Sequence, residues 1–203
     1  MSRGGPPVRR VTATALRREI LVFVEGRETE ERYLTFWHRR HRDHVLVAID
    51  DFRGGPLQLV EHAVQAKARE EKDRRRRRGR AHDEIWCVFD VDEHPNLATA
   101  ITLADRHGIN LAISNPCLEL WFLLHFEDCN SYLDRKDAQR RAQRYLRSGK
   151  ALADSALVAL YERHDDAVAR AVRLDAKHRG DGSPEGANPS SGVWRLVDRV
   201  RRA

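Results

Sequence analysis

The sequence predicts an α/β fold: a mainly parallel four-stranded sheet, flanked by helices and followed by a helical extension. Short, nearly continuous apolar runs recur four times, segments of helical periodicity separate them, and carboxylates stand directly after the first and third runs. A run that is apolar at every position suits a strand buried on both faces. Alternation of such strands with helices indicates a parallel sheet, in which functional groups collect at the carboxyl ends of strands.

Residues 1–18, rich in Gly, Pro and Arg, lack periodicity and read as a mobile basic lead-in. The expected core covers about 19–128 and the helical extension about 129–203, as one domain. The strand runs are "ILVFV" (20–24), "VLVAI" (45–49), "IWCVF" (85–89) and "NLAIS" (110–114). Helical patterns fill 28–42, 56–78 and 96–108, the last closed by Gly108. Asn115-Pro116 reads as a cap and first-turn pair for "CLELWFLLHF", a helix apolar nearly all round and therefore buried. Beyond it, 135–178 is helical by composition, 179–192 is a loop, and "VWRLVDRVRRA" closes the sequence as a basic amphipathic helix.

Hydrophobic residues make up 41% and charged residues 33%, the balance of a globular protein with an unusually ionic exterior. A net charge of +6 favours polyanionic partners. Much of it is local, in "RRRRRGR" at 74–80 and "HRRHRDH" at 38–44. Cys87, Cys117 and Cys129 have neither CxxC spacing nor an even count, which argues against a disulfide framework or zinc ribbon. No signal peptide is recognisable and no apolar run approaches the roughly 18 residues of a membrane span, so a cytoplasmic, non-membrane protein is expected. GxxxxGK[ST] does not occur, so the chain is not expected to hydrolyse ATP alone.

Glu25 follows the first strand, Asp90 ends the third, and Asp92 follows two residues later. Tips of parallel strands share one edge, and Asp90 and Asp92 project to the same side of an extended backbone. Three clustered carboxylates repel one another, and Mg2+ or Mn2+ is the simplest way to keep all of them ionised. Such a cation would neutralise a phosphate and orient a water. The structural alternative is that the DxD is only a turn or helix cap.

"VFVEGRETEERYL" followed by "VFDVDEH" resembles the Toprim pattern of topoisomerases, primases and OLD-type nucleases: a Glu after the first strand and a DxD after a later one. "ISNPCLELWFLLHF" and "NPSSGVWRLV" resemble the RloB-like family, to which AbiL-type phage-defence components belong. The resemblance covers most of residues 18–202. It implies a Toprim-like nuclease fold with Glu25 as metal ligand or general base and Asp90 and Asp92 as metal ligands. It also implies a role in bacterial defence beside a separately encoded ABC- or AAA-type ATPase. Glu93 and His94 depart from the common forms, DxDxD or DxD followed by a small residue; Glu93 is a candidate for the metal shell, and His94 either contacts a phosphate, serves as an acid or, beside Pro95, only starts a helix.

Glu119 stands in an otherwise apolar helix, on one face with Asn115, Phe122 and Phe126. A buried carboxylate needs a partner, so it faces either a catalytic cleft or an arginine. His125 reads as a core histidine outside the catalytic set. Lys150 falls where RloB-like chains carry a lysine and is a candidate for stabilising charge on a reacting phosphate, though chance placement among 37 basic residues also accounts for it. Arg74, Arg75, Arg76, Arg77 and Arg78 either clamp a phosphate backbone or extend a solvated helix.

The expected activity is therefore metal-dependent cleavage of a phosphodiester in DNA or RNA, with homo-oligomerisation left open. One rival is a haloacid-dehalogenase-type phosphatase using "DVDEH" as its nucleophile loop, which leaves Glu25 idle. The other is a non-catalytic nucleic-acid-binding or scaffolding subunit of an ATPase complex.

Overall fold

A computed structural model describes residues 17–91, 96–147, 152–184 and 186–202. In chain order the elements are β1 (Arg18–Val24), α1 (Thr29–His41), β2 (Val45–Ile49), α2 (Pro56–Arg75), β3 (Glu84–Asp90), α3 (Leu97–His107) and β4 (Asn110–Asn115). There follow α4 (Leu118–Leu123), α5 (Arg135–Leu146), α6 (Asp154–Glu162), α7 (His164–Gly180), β5 (Ser190–Ser191) and α8 (Val193–Arg201). The sheet runs β2-β1-β3-β4-β5; the first four strands are parallel and β5 pairs antiparallel with β4.

The continuous apolar runs are explained by two cores. Alternate residues Ile20, Val22, Val24, Trp86 and Val88 pack toward α1, α4 and the later helices. Their neighbours Leu21, Phe23, Ile85, Cys87 and Phe89 pack toward α2 and α3 on the other face. Nearly every residue of the central strands β1 and β3 is thus buried on one side or the other, as a sheet covered by helices on both faces requires, while Leu46 and Ala48 of the edge strand β2 are exposed.

Five strands are present where four were expected. β5 lies inside the segment read as a loop, because a two-residue Ser-Ser strand carries no hydrophobic period. It pairs with the end of β4 through Ser114↔Ser191 and Asn115↔Ser190, and the two serine hydroxyls meet at 2.9 Å in a buried contact. Gly192 then passes against β4, donating to the carbonyl of Ile113 at 2.8 Å; a Cβ there would lie 3.4 Å from the Ile113 nitrogen.

Three helical expectations are corrected in extent. The helix after Asn115-Pro116 shortens to α4: Asn115 completes β4, the Asn115–Pro116 peptide is cis, Cys117 is the N-cap, and the turn tightens where His125 and Phe126 donate to Phe122 and Leu123. The region 135–178 divides into α5, α6 and α7, with Arg147 left-handed at φ 47° after α5 and Arg163 capping both α6 and α7. α2 stops at Arg75 rather than 78, because Arg77 turns left-handed at φ 56°. Among the described residues no helix is long and apolar enough to cross a membrane.

Candidate active site at the sheet crevice

β1 lies between β2 and β3, so the chain leaves it to one side through α1 and returns to the other side through α2. α1 and α2 pack on opposite faces. The segments leaving β1 and β3 therefore diverge, and a crevice opens outside their carboxyl ends, where open α/β sheets bind ligands. Glu25 and Asp90 stand at this point. The Glu25 N–H donates to the Val88 carbonyl at 3.2 Å, and the Asp90 N–H donates to Oε2 of Glu25 at 3.3 Å. One carboxylate is thereby held across the tip of the neighbouring strand.

Glu30 and Glu119 add to the negative charge. Burial, then the charges of Glu119 and Glu25, raise the Glu30 carboxyl above the usual carboxylate range, against its own N–H and that of Gly26. Burial also pushes the Asp90 carboxyl up to about 8; Arg135 opposes this, while Glu119, Glu30 and Glu25 add to it. The Arg135 guanidinium donates to Oδ2 of Asp90 at 3.3 Å. Desolvated carboxylates of like charge favour a proton or a cation beside them. The adjoining cleft, about 680 Å³, is lined by Gly26, Glu30, Glu119, Phe122, Gln139 and Gln143 among others.

The structure thus brings together Glu25, Asp90 and Glu119 of the sequence-predicted set and adds Glu30 and Arg135. Asp92, Glu93, His94 and Lys150 lie outside the described residues. Among the described residues no group of three His, Cys, Asp or Glu could hold a metal ion as it stands. The donor chemistry nonetheless fits a hard divalent cation: oxygen ligands only, partly desolvated, on two adjacent strand tips. Of the residues expected on Glu119's face, Phe122 shares its cleft, whereas Asn115 belongs to β4 and Phe126 stacks on Tyr145 beyond the helix. Glu119 makes no ion pair with an arginine among the described residues; burial, and then the Glu119 carboxylate, push the Cys117 thiol up.

Arg74–Arg78 are exposed and lie at the other end of the sheet, since α2 returns from the carboxyl end of β2 to the amino end of β3. They do not share a cleft with Glu25 and Asp90. His125 is fully buried, with Nδ1 2.8 Å from the Trp121 carbonyl, in keeping with a core residue.

The family model for RloB-like proteins matches residues 20–200. The chain belongs to the RloB-like protein family. Comparison with curated proteins and with solved structures finds no match.

In this RloB-like chain the two Asn-Pro segments lock together. Asn188 Nδ2 donates to Oδ1 of Asn115 at 3.2 Å and to the Leu133 carbonyl at 2.9 Å, while the Leu133 N–H donates to Oδ1 of Asn188 at 2.8 Å. Asn115 Nδ2 in turn donates to the Gly186 carbonyl at 2.9 Å. These bonds join the end of β4, the entry to β5 and the lead into α5, and so position Arg135. The box around Cys117 works on two sides: Glu119 faces the cleft, while Trp121 Nε1 donates to the buried Tyr33 hydroxyl at 2.7 Å, tying α4 to α1.

Proposed function

We propose that this RloB-like chain is a divalent-metal-dependent phosphodiesterase, a nuclease acting on DNA or RNA in bacterial anti-phage defence. The observation that carries the proposal is the juxtaposition of Glu25 and Asp90 across adjacent strand tips at the sheet crevice, bridged by the 3.3 Å bond from the Asp90 N–H. In this reading Glu25 and Asp90 hold Mg2+ or Mn2+, with Asp92 as a third ligand, in a Toprim-like arrangement.

The bound cation would supply neutralisation of the phosphate and activation of a water. Glu30 and Glu119 keep the cleft wall negative, which favours the cation and keeps the substrate's phosphates from settling there without it. Arg135 holds Asp90 in place and, being permanently charged, keeps a positive charge at the carboxylate crevice. The chemistry is attack of water on phosphorus, with departure of one ester oxygen and uptake of a proton by it.

In this reading the RloB-like resemblance points to control by a separately encoded ABC- or AAA-type ATPase. The test is cleavage of labelled DNA and RNA by the chain alone and by the chain co-purified with its operon neighbours, with Mg2+, Mn2+ or EDTA. We expect metal-dependent cleavage that strengthens with the partner and falls at least about 100-fold in Glu25→Gln and Asp90→Asn. Binding that survives EDTA, with no cleavage under any metal or partner, would instead establish a non-catalytic subunit.

A further inference from the structure

The amino ends of the strands gather positive charge on the opposite edge from the carboxylates. A cleft of about 780 Å³ is lined there by Arg17, Arg18, His44, Arg74 and Arg80, together with acids that include Glu19 and Glu84. Glu19 lies 3.8 Å from Arg80, Glu84 lies 3.8 Å from Arg18 and 3.4 Å from Arg199, and Asp83 accepts from the Glu19 N–H at 2.8 Å, so Arg18 and Arg80 are paired with the cleft's own acids while Arg17 and Arg74 make no ion pair among the described residues. Arg76, Arg77 and Arg78 are exposed and make no ion pair among the described residues.

Basic residues in the last turn of a helix complement its macrodipole, and Lys72, Arg74 and Arg75 of α2 are accounted for in that way. The dipole's influence fades within that turn, and Arg76, Arg77, Arg78 and Arg80 lie beyond it. Arg77 is left-handed at φ 56°, as Arg147 is at φ 47° after α5, so this conformation belongs to the helix end and not to the charge run. Helix termination accounts for the conformation of Arg77 but not for the run of like charges around it. A polyanion would account for the run.

From these placements we infer that Arg74–Arg78, with Arg17, form a phosphate-backbone anchor separate from the cleavage site. Glu84 and Asp90 are the two ends of β3, so about 20 Å of strand lies between the anchor and the carboxylate crevice. At about 3.4 Å per step, a nucleic acid joining the two covers at least about six base pairs. The substrate class is therefore an extended nucleic acid rather than a nucleotide or a dinucleotide. The inference rests on the proposed function only in taking the polyanion to be DNA or RNA.

The test is made in EDTA, so that it does not depend on metal chemistry. Binding of the full chain to a labelled duplex of about 30 base pairs, as DNA and as RNA, is measured across a salt series. Three proteins are compared: wild type, a variant with Arg74–Arg78 changed to Gln, and a charge-matched control with Arg140, Arg144, Arg163, Arg173 and Arg179 changed to Gln. Thermal melts verify that each is folded. We expect the run variant to bind at least about tenfold more weakly at low salt, and its log–log salt slope to shrink by about 0.9 for each phosphate it no longer neutralises. The control is expected to keep a slope close to that of wild type. Equal losses in both variants would reduce the effect to net charge and overturn the anchor. So would intact nucleic-acid binding in the run variant, including the case in which that variant instead loses a co-purifying acidic protein. Absence of cleavage in a separate metal assay would count against the phosphodiesterase reading while leaving this binding result to stand by itself.

Discussion

The Glu30 carboxylate occupies the space that a side chain at residue 26 would need: a Cβ on Gly26 would lie 2.2 Å from Oε2 and 2.5 Å from Oε1 of Glu30. Gly26 is thus the cradle of one wall of the crevice, immediately after Glu25.

Gly26→Ala is therefore expected to separate site from fold. The obstructing atoms are the far end of a flexible side chain, so Glu30 can swing away and stability should change by less than about 1 kcal/mol. The site would lose the carboxylate's placement. Calorimetric titration with Mn2+ should show weakened binding, by about tenfold, at a nearly unchanged melting temperature. Unaltered Mn2+ affinity would remove Glu30 from the centre.

Glu119→Gln keeps the shape but removes the charge. Metal occupancy or cleavage should fall more than stability does. If Glu119 served mainly to hold the fold through a buried charge pair, stability would drop by about 3–5 kcal/mol instead. Paired urea titrations and nuclease assays distinguish the two outcomes.

Replacing Asn188 with Ala deletes three hydrogen bonds, to Asn115, to the Leu133 carbonyl and from the Leu133 N–H. At about 1 kcal/mol each, a loss of about 2–3 kcal/mol is expected in denaturant unfolding. The lead into α5 would loosen with it, so the Arg135–Asp90 contact and any activity should suffer beyond the stability loss. A variant with wild-type stability would show that the lock between the two Asn-Pro segments carries no weight.

Acid stability should be set partly by buried histidines. Burial lowers the His125 pKa to about 3, with His164 and Arg170 adding to the effect, and burial lowers His164 as well. Both stay neutral in the fold while the unfolded chain takes up protons below about pH 6.5, so stability falls as pH drops from about 6.5 toward 3. For His125 the slope approaches about 1.4 kcal/mol per pH unit in that range. Asp90, raised to about 8, acts with the opposite sign between its ordinary pKa and that value, so the comparison must be with a variant. His125→Leu should flatten the acid limb of a pH series of unfolding curves; an unchanged limb would contradict this origin.

Much of the architecture was legible because its signals are strong. β1 and β3 are apolar at nearly every position, and a carboxylate directly after each is out of keeping with that run. Glu30 was not legible: an acidic residue in a helix's first turn is ordinarily explained by the macrodipole, and only its approach to Gly26 reveals another role. Arg135 was hidden among many arginines and reaches Asp90 only because the Asn115–Asn188 lock brings α5 over the sheet. β5 was missed because its hydrogen bonds lie with β4, far away in sequence, rather than in any local pattern.

The most direct test of the proposed centre is a crystal of the full chain soaked with Mn2+, examined by anomalous diffraction. A peak is expected between Glu25 and Asp90, with carboxylate oxygens of both, and of Asp92, about 2.0–2.6 Å from it. A well-ordered crevice with Mn2+ in the crystal but no peak there, and Asp90 still paired with Arg135, would contradict the metal centre.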